Sequence, residues 1–457
     1  MVTGRGIRAG LASEAMQPAP TLPPTDADVD AIVAPGPTNG SDGGPGDVQV
    51  LSSIDELEGK LEEVDRAWAV SDDAMRAVFL SFVFEPAGDT PPDPYSPEYA
   101  EHQFALYRLI ADRPHYEVQN ERSDFPVDAN RPFPYYTESP ETVGHTLMAI
   151  GFIVRTMGLA AGSSILELGP GWGNTTIELA RMGYDVTAID IDPTFVGLIA
   201  ERAAKFALAV DARQGTFLEI DRLDRRYDAV LFFECFHHCS DHRDLVAKLA
   251  DVITPGGRVF FAAEPVVETF PVPWGVRTDG ESLWAIRRNG WLELGFQESY
   301  FLRMLAHAGW VVTKHTTDAT YLGVVFEARR AEGVYPVCGR TLPPDEEATW
   351  LPLEAPDSTH RYSGARSELS VERGGPYELA SVEVVNTSPL ELPYRVSHGR
   401  NSVAGVAPAG SDHLIDVPYD PEGRTVVVEV ETWRPAEVLQ STDQRTLGLL
   451  VTGVTLR

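Results

Sequence analysis

The sequence predicts an α/β protein: a mostly parallel sheet covered by helices on both faces, with a helical region before it and an all-β region after it. Three observations predict this. From about residue 163, strand-like and helix-like runs alternate. The strand-like runs are continuously apolar, as strands buried on both faces must be. After about residue 340 the texture changes to short β-rich runs separated by Gly, Pro, Asn and Asp, the pattern of a sandwich of two sheets.

Taken in order, residues 1–48 are rich in Pro, Gly, Ala and Asp, as in APGPTNGSDGGPGD. Such a segment cannot bury enough apolar surface to offset its ordering entropy, so disorder is expected. Residues 49–140 form a helical region. In SSIDELEGKLEEVDRAWAVSDDAMRAVFLSFVF, Leu57, Leu61, Val64 and Trp68 fall at helical spacing and predict a helical pair. In RPFPYYTESPE, Ser139 precedes Pro140, an N-cap followed by proline at the first helical position. Residues 141–335 carry the α/β domain. SSILELG, DVTAID, YDAVLFFEC and GGRVFFAAE read as strands, and NTTIELARMG, PTFVGLIAERAAKFA, HRDLVAKLADVI and ESYFLRMLAHAG read as the helices that follow them. WVVTKHTT and YLGVVFEARR have no helix between them and predict an antiparallel hairpin at one edge. Residues 345–457 supply SELSVE, ELASVEVVN, YRVSH, TVVVEVETW and LGLLVTGVTL, the strands of the β-sandwich.

The chain has 457 residues, with 68 Asp and Glu against 37 Lys and Arg and a net charge of −31. A surface of that sign repels phosphate backbones, which excludes nucleic acid as the expected partner. No apolar run approaches the roughly 18 residues of a membrane span. The opening MVTGRGIRAGLASEAM lacks the apolar core of a secretory signal, and three cysteines make no disulfide framework, so the expected location is cytoplasmic.

In ILELGPGWGNTTIELA a strand ends in Glu167, and Gly169, Gly171 and Gly173 alternate before a helix. Glycines at such a turn let the backbone approach a ligand closely. A dinucleotide fingerprint would need a small residue at 174, where Asn174 stands. The next strand ends in Asp190, an acid placed to accept hydrogen bonds from ribose hydroxyls. On these residues, the segment 163–330 resembles a class I methyltransferase dependent on S-adenosylmethionine. The resemblance implies a Rossmann-like, seven-stranded sheet with one antiparallel edge strand and the cofactor over the carboxyl ends of the first two strands. It places Glu167, Gly169, Gly171 and Gly173 against the methionine and ribose and gives Asp190 the ribose hydroxyls. It sets Thr216 and Phe217 near the adenine, although Thr216 stands where the family often has an acid. The alternatives are another nucleotide cofactor, or a fold that has lost its activity.

The stretch ECFHHCSDH, residues 234–242, follows the fourth strand and, by the resemblance, borders the methyl group. Three readings compete. Cys235, Cys239, His237, His238 and His242 could ligate zinc, but in no familiar zinc spacing. The histidines could merely pack or cap the next helix. One of them could take the proton from an acceptor hydroxyl, and this is the preferred reading, with no metal. Methyl transfer is an in-line displacement that gains from a positioned nucleophile, and a histidine is suited to remove the hydroxyl proton. By the resemblance His238 is the first choice and His237 the second. Asp241 could orient an imidazole or cap the following helix, and Glu264, ending the fifth strand, is an alternative base or ligand.

The connection EPVVETFPVPWGVRTDGESLWAIRRNGWLELGF carries Trp274, Trp284 and Trp291 with Arg277, Asp279, Glu281 and Arg287 interleaved. Indoles pack on sugar rings while charged groups hydrogen-bond their hydroxyls, so these residues are expected to hold a carbohydrate. The competing reading is that the tryptophans are core. ASVEVVNTSPLELP and TDQRTLGLLVTGVTL resemble the β-sandwich tails of bacterial polysaccharide-assembly enzymes. That implies contact with a glycan; a stabilising or dimerising domain, and so a homo-oligomer, is the alternative. The expected function is O-methylation of a sugar hydroxyl on a bacterial glycan or glycosylated precursor. Methylation of a small natural product, or glycan binding without catalysis, are the alternatives.

Overall fold

A computed structural model describes residues 48–86, 88–122 and 127–457. The segment expected to be disordered lies, apart from Val48, outside the described residues. The helical pair is Ile54–Trp68 and Asp72–Phe79, opened by the side chains of Ser53 and Ser71, which accept backbone N–H groups of Glu56 and Ala74. Leu57, Leu61 and Val64 are buried, and Trp68 lies half in solvent at the end of the stripe. Helix Pro97–Ala111 follows. Ser139 accepts from Thr142 N–H and Pro140 opens the helix Pro140–Met157.

The central sheet has seven strands: β1 (Ser164–Leu168), β2 (Asp185–Asp190), β3 (Val210–Gln214), β4 (Tyr227–Phe233), β5 (Ile253–Ala262), β6 (Trp310–Thr316) and β7 (Val324–Arg330). Their order is β6-β7-β5-β4-β1-β2-β3, with β7 antiparallel to both neighbours and the other pairings parallel. Strand β3 carries no apolar run. It is an edge strand whose residues are mostly exposed, so no hydrophobic pattern announces it. The apolar continuity of the inner strands has its cause in two cores. Leu166, Val230, Phe232 and Phe261 fill one face, and Ile165, Ala229, Leu231 and Phe260 fill the other. Strand order reverses between β1 and β4, and a crevice opens there at the carboxyl ends.

The connection after β5 is itself structured. Trp274–Val276 pairs antiparallel with Leu294–Phe296, and helix Gly280–Asn289 lies between them. The N-terminal helices latch it. Tyr99 Oη donates to the Trp274 carbonyl at 2.6 Å, Tyr107 Oη donates to the Gly290 carbonyl at 2.5 Å, and Gln103 Oε1 accepts from Val276 N–H at 3.0 Å. Beyond β7, a five-stranded and a four-stranded sheet share one apolar core that includes Val382, Val384, Val396, Val428 and Val454. Among the described residues, no helix is long and apolar enough to cross a membrane.

Candidate active site at the carboxyl ends of the parallel strands

The glycine turn leaves β1 with Gly169, Gly171 and Gly173 all at positive φ, where an L side chain is strained. The three serve different ends. A Cβ on Gly169 would stand 2.8 Å from the Cys235 Cβ, and one on Gly173 would stand 2.4 Å from Ile199 Cγ1. A Cβ on Gly171 would meet nothing within 4 Å. Two glycines therefore permit packing, and the third faces open space. Asp190 holds the turn in place: its Oδ2 accepts from Gly171 N–H at 2.9 Å and its Oδ1 from Asp192 N–H at 2.8 Å. Glu167 lies beneath, buried, accepting from Thr176 Oγ1 at 2.5 Å. Burial raises both carboxyls, Glu167 to about 7 and Asp190 to about 6.

Past the end of β3, Thr216 donates to Glu219 through its N–H, and Phe217 packs edge-on against Phe232 and reaches toward Gly169. A cleft of ≈ 340 Å³ opens here, lined by Ile191, Gln214, Gly215, Thr216, Glu219, Gln119 and Arg122. The open flank of Gly171, the acids at the ends of β1 and β2, and this cleft form one path across the switch point. That path fits S-adenosylmethionine: carboxylates for its ammonium and ribose hydroxyls, and a slot for a flat base. The aromatic group Trp172, Phe133, Tyr136 and Phe195 flanks the turn, with Trp172 5.1 Å from Phe195 and 5.6 Å from Tyr136 between ring centres. Sequence reading passed over these, although Trp172 sits between two of the motif glycines.

The histidine turn after β4 hangs from Glu264. That carboxylate accepts from the backbone N–H of Cys235, Phe236 and His237 and pairs with His237 Nδ1 at 2.8 Å. Glu264 is thus fully engaged as an anchor, which corrects its reading as a base. His237 Nε2 faces Glu293 at 3.4 Å, and Glu293 pairs in turn with Arg277. Burial works against charge on His237, but the two carboxylates outweigh it and push it up to about 10. Burial likewise works against Glu293, and His238, His237 and Arg277 hold it down at about 2. His237 is therefore an ion-paired imidazolium and no base, a correction to its second-choice role.

His238 is different. Its Nδ1 lies 2.8 Å from the Leu292 carbonyl, which can only accept, so the neutral ring carries its lone pair on Nε2. Burial and the neighbouring His237 charge lower it to about 4. The ligand atoms of His237, His238 and Glu293 lie within 4.8 Å of one another, close enough to hold a metal ion. The other zinc candidates are dispersed. Cys235 Sγ donates to the Leu168 carbonyl, and His242 is buried against Trp274 with Nε2 3.1 Å from Tyr300 Oη. Asp241 precedes its helix without a side-chain cap, its carboxylate taken by Ser240 Oγ.

The acceptor residues divide. Trp274 is 2% exposed, its Nε1 donating to the Pro94 carbonyl; Trp284 is 9% exposed, its Nε1 donating to Asp65. Neither offers an indole face, because the N-terminal helices have packed on both. Arg287 pairs with Glu58, away from any cleft. These three are corrected from acceptor-binding to core and latch. Arg277, Asp279 and Glu281 are joined in ion pairs near the histidine turn. Arg277 pairs with Asp279 at 3.0 Å and Glu281 lies 3.9 Å from Arg76. Glu234 stands beside them at φ +51, a strained conformation for a non-glycine residue. Burial, then the Glu281 charge, raises Glu234 to about 7. Arg76, Glu234 and Glu293 escaped sequence reading because they meet only in the fold; the αL glutamate leaves no sequence signal.

Residues 165–257 match the family model of a methyltransferase domain. The chain is 26% identical over 181 residues to a ubiquinone biosynthesis O-methyltransferase of Klebsiella pneumoniae, covering 39% of this chain and 66% of that protein. It is 30% identical over 105 residues to a demethylmenaquinone methyltransferase of Tropheryma whipplei, covering 23% of this chain and 43% of that protein. The chain thus spans less than half the length of this second relative. Among solved structures, a SAM-dependent methyltransferase from Aquifex aeolicus superposes with a TM-score of 0.32 at 19% identity, over 44% of this chain and 97% of that one. The matched region, residues 165–257, is therefore of the methyltransferase-domain type.

Proposed function

We propose that the chain methylates a hydroxyl oxygen of a polar, carbohydrate-class acceptor. The observation that carries this is a network of ion pairs joined to the histidine turn: Arg277 pairs with Asp279 and with Glu293, Glu293 faces His237, and Arg76 lies 3.9 Å from Glu281. Charged groups so placed hydrogen-bond hydroxyls and repel apolar rings. The C-terminal sheets add no residue to this network, so the reading rests on it alone.

Glu167, Gly169, Gly171, Gly173 and Asp190 would hold S-adenosylmethionine, with Thr216 and Phe217 at its adenine end; bound there, it supplies an electrophilic methyl on a sulfonium. His238 takes the acceptor proton on Nε2, its Nδ1–H fixed by the Leu292 carbonyl. Lowered to about 4, the ring is neutral at pH 7 but a weaker base than an ordinary imidazole, so its part is to hold the hydroxyl in line and take the proton as the methyl transfers. His237 and Glu264 hold the turn that carries it.

The test is transfer from isotope-labelled S-adenosylmethionine to a panel of sugars, glycosides and phenols, with wild type and His238→Ala. The variant should keep cofactor affinity and lose turnover by roughly 10²–10⁴-fold. Unchanged turnover would remove His238 from the chemistry. Transfer to phenols and to no sugar would sink the carbohydrate reading while leaving O-methylation standing.

A further inference from the structure

A second cavity, of ≈ 250 Å³, lies apart from the crevice, where three regions of the chain meet. Pro94 and Tyr95 come from the N-terminal helical region. Pro273, Gln297, Tyr300, Arg303 and His307 come from the central domain. Arg424 and Thr425 come from the C-terminal sheets. Its charge is opposite to that of the molecule. The net charge is −31, yet Arg303 and Arg424 line this cavity and Arg243 lies beside Tyr95, with Asp93 the acid at the Tyr95 N–H.

The guanidinium of Arg424 lies 4.1 Å from the centre of the Tyr95 ring, and that of Arg243 lies 5.6 Å from the same ring. Among the described residues, neither is in an ion pair with a carboxylate. Arg303 is paired, with Asp345 and, at 3.6 Å, with Glu346. His307 adds a further polar atom. Its Nδ1 meets Tyr95 Oη at 3.3 Å, and its buried Nε2 has no partner. Burial first, then the charges of Arg424, Arg303 and Arg373, lower His307 to about 3, which reports the positive field of the cavity on a neighbouring group.

Two guanidinium groups sharing one aromatic ring repel each other, and a ring quadrupole compensates only part of that. Among the described residues, no carboxylate stands in an ion pair with either guanidinium. An anion in the cavity would offset the repulsion and take hydrogen bonds from Arg424 and His307, which line it, with Arg243, which donates to the Tyr95 carbonyl, close behind. Guanidinium forks match phosphate oxygens, and the cavity is larger than a single small ion requires.

We propose that the cavity between Tyr95, Arg303, His307 and Arg424 is a binding site for a phosphate- or diphosphate-bearing small molecule, distinct from the methyl-transfer site. The occupant touches all three regions at once, so it ties the C-terminal sheets to the central domain.

The test uses the full chain at constant ionic strength. Inorganic phosphate, pyrophosphate, a nucleoside diphosphate and citrate are compared by thermal denaturation and calorimetry. Pyrophosphate or the nucleoside diphosphate should raise the unfolding midpoint and bind with one-to-one stoichiometry. Preference for the nucleoside diphosphate identifies a phosphate carried on a larger molecule, and preference for pyrophosphate identifies the free ion; both support the site. Arg424→Gln and Arg243→Gln should each weaken binding by tenfold or more while S-adenosylhomocysteine affinity, which checks the fold, stays unchanged. Should Arg424→Gln fail that check, Arg424→Lys keeps the charge and loses the fork, and should still weaken binding. No binding of any phosphate, full binding in both arginine variants, or citrate binding as tightly as pyrophosphate would overturn the proposal.

Discussion

The glycine turn 169–173 and the tryptophan connection 274–291 both look like ligand sites in the sequence, and only one of them is open. At Gly171 nothing stands within 4 Å of a built Cβ. Along the connection, Trp274 and Trp284 have given their indole N–H groups to Pro94 and Asp65, residues about 180 and 219 positions away. The difference is one of cause. The turn is open because of what its own backbone does, and the connection is closed because of what folds onto it. A motif that acts through φ and ψ carries its function with it. A motif that acts through exposed side chains depends on every other element leaving it alone.

Trp284→Ala gives the largest effect that bears on this contrast. Truncating a buried tryptophan should cost about 3–5 kcal/mol of stability, read as a lowered denaturant midpoint, with S-adenosylhomocysteine affinity intact in the folded protein. A stable variant that has lost only acceptor affinity would return Trp284 to the acceptor site and break the comparison.

Gly171→Leu should do the reverse. The protein should fold, with about 1–2 kcal/mol lost to the left-handed conformation at φ +50. Cofactor affinity should fall by roughly 100-fold or more, about 3 kcal/mol, measured by calorimetry. Gly173→Ala sharpens the point from within the same turn. Its Cβ would meet Ile199 at 2.4 Å, so stability should fall more than for alanine at 171. Equal behaviour of the two alanine variants would deny the division of labour among the glycines.

The histidine turn supplies a pH test. His237 is raised in the folded protein to about 10 from an unfolded value near 6.5. Its ion pairs therefore contribute stability that is fully present below about pH 6.5 and is lost as pH rises through about 10. The stability gap between wild type and His237→Gln should hold from mildly acid to neutral pH and close between those limits. A gap that widens with rising pH would mean that the ring is neutral, and would reopen its use as a metal ligand. Smallest of all is Arg288→Ala. Its pairs with Glu58 and Asp65 are partly exposed, so a loss of up to about 1 kcal/mol is expected.

Sequence alone determined the parts of this protein whose physics is local or periodic. The inner strands announced themselves because burial on both faces demands unbroken apolar runs. The cap Ser139 sits one residue before its helix, and its hydrogen bond spans three residues. The glycine turn and Asp190 were legible for the same reason. Tertiary structure decided the rest. Strand β3 is polar because it lies at an edge, and its place came only from pairing with β2. ECFHHCSDH contained two histidines that look alike, and their chemistry diverged once Glu264 and Glu293 closed on His237 while His238 faced the Leu292 carbonyl. A proton's affinity for an imidazole is set by the charges a few ångströms away, and for His237 those charges come from residues 27 and 56 positions downstream.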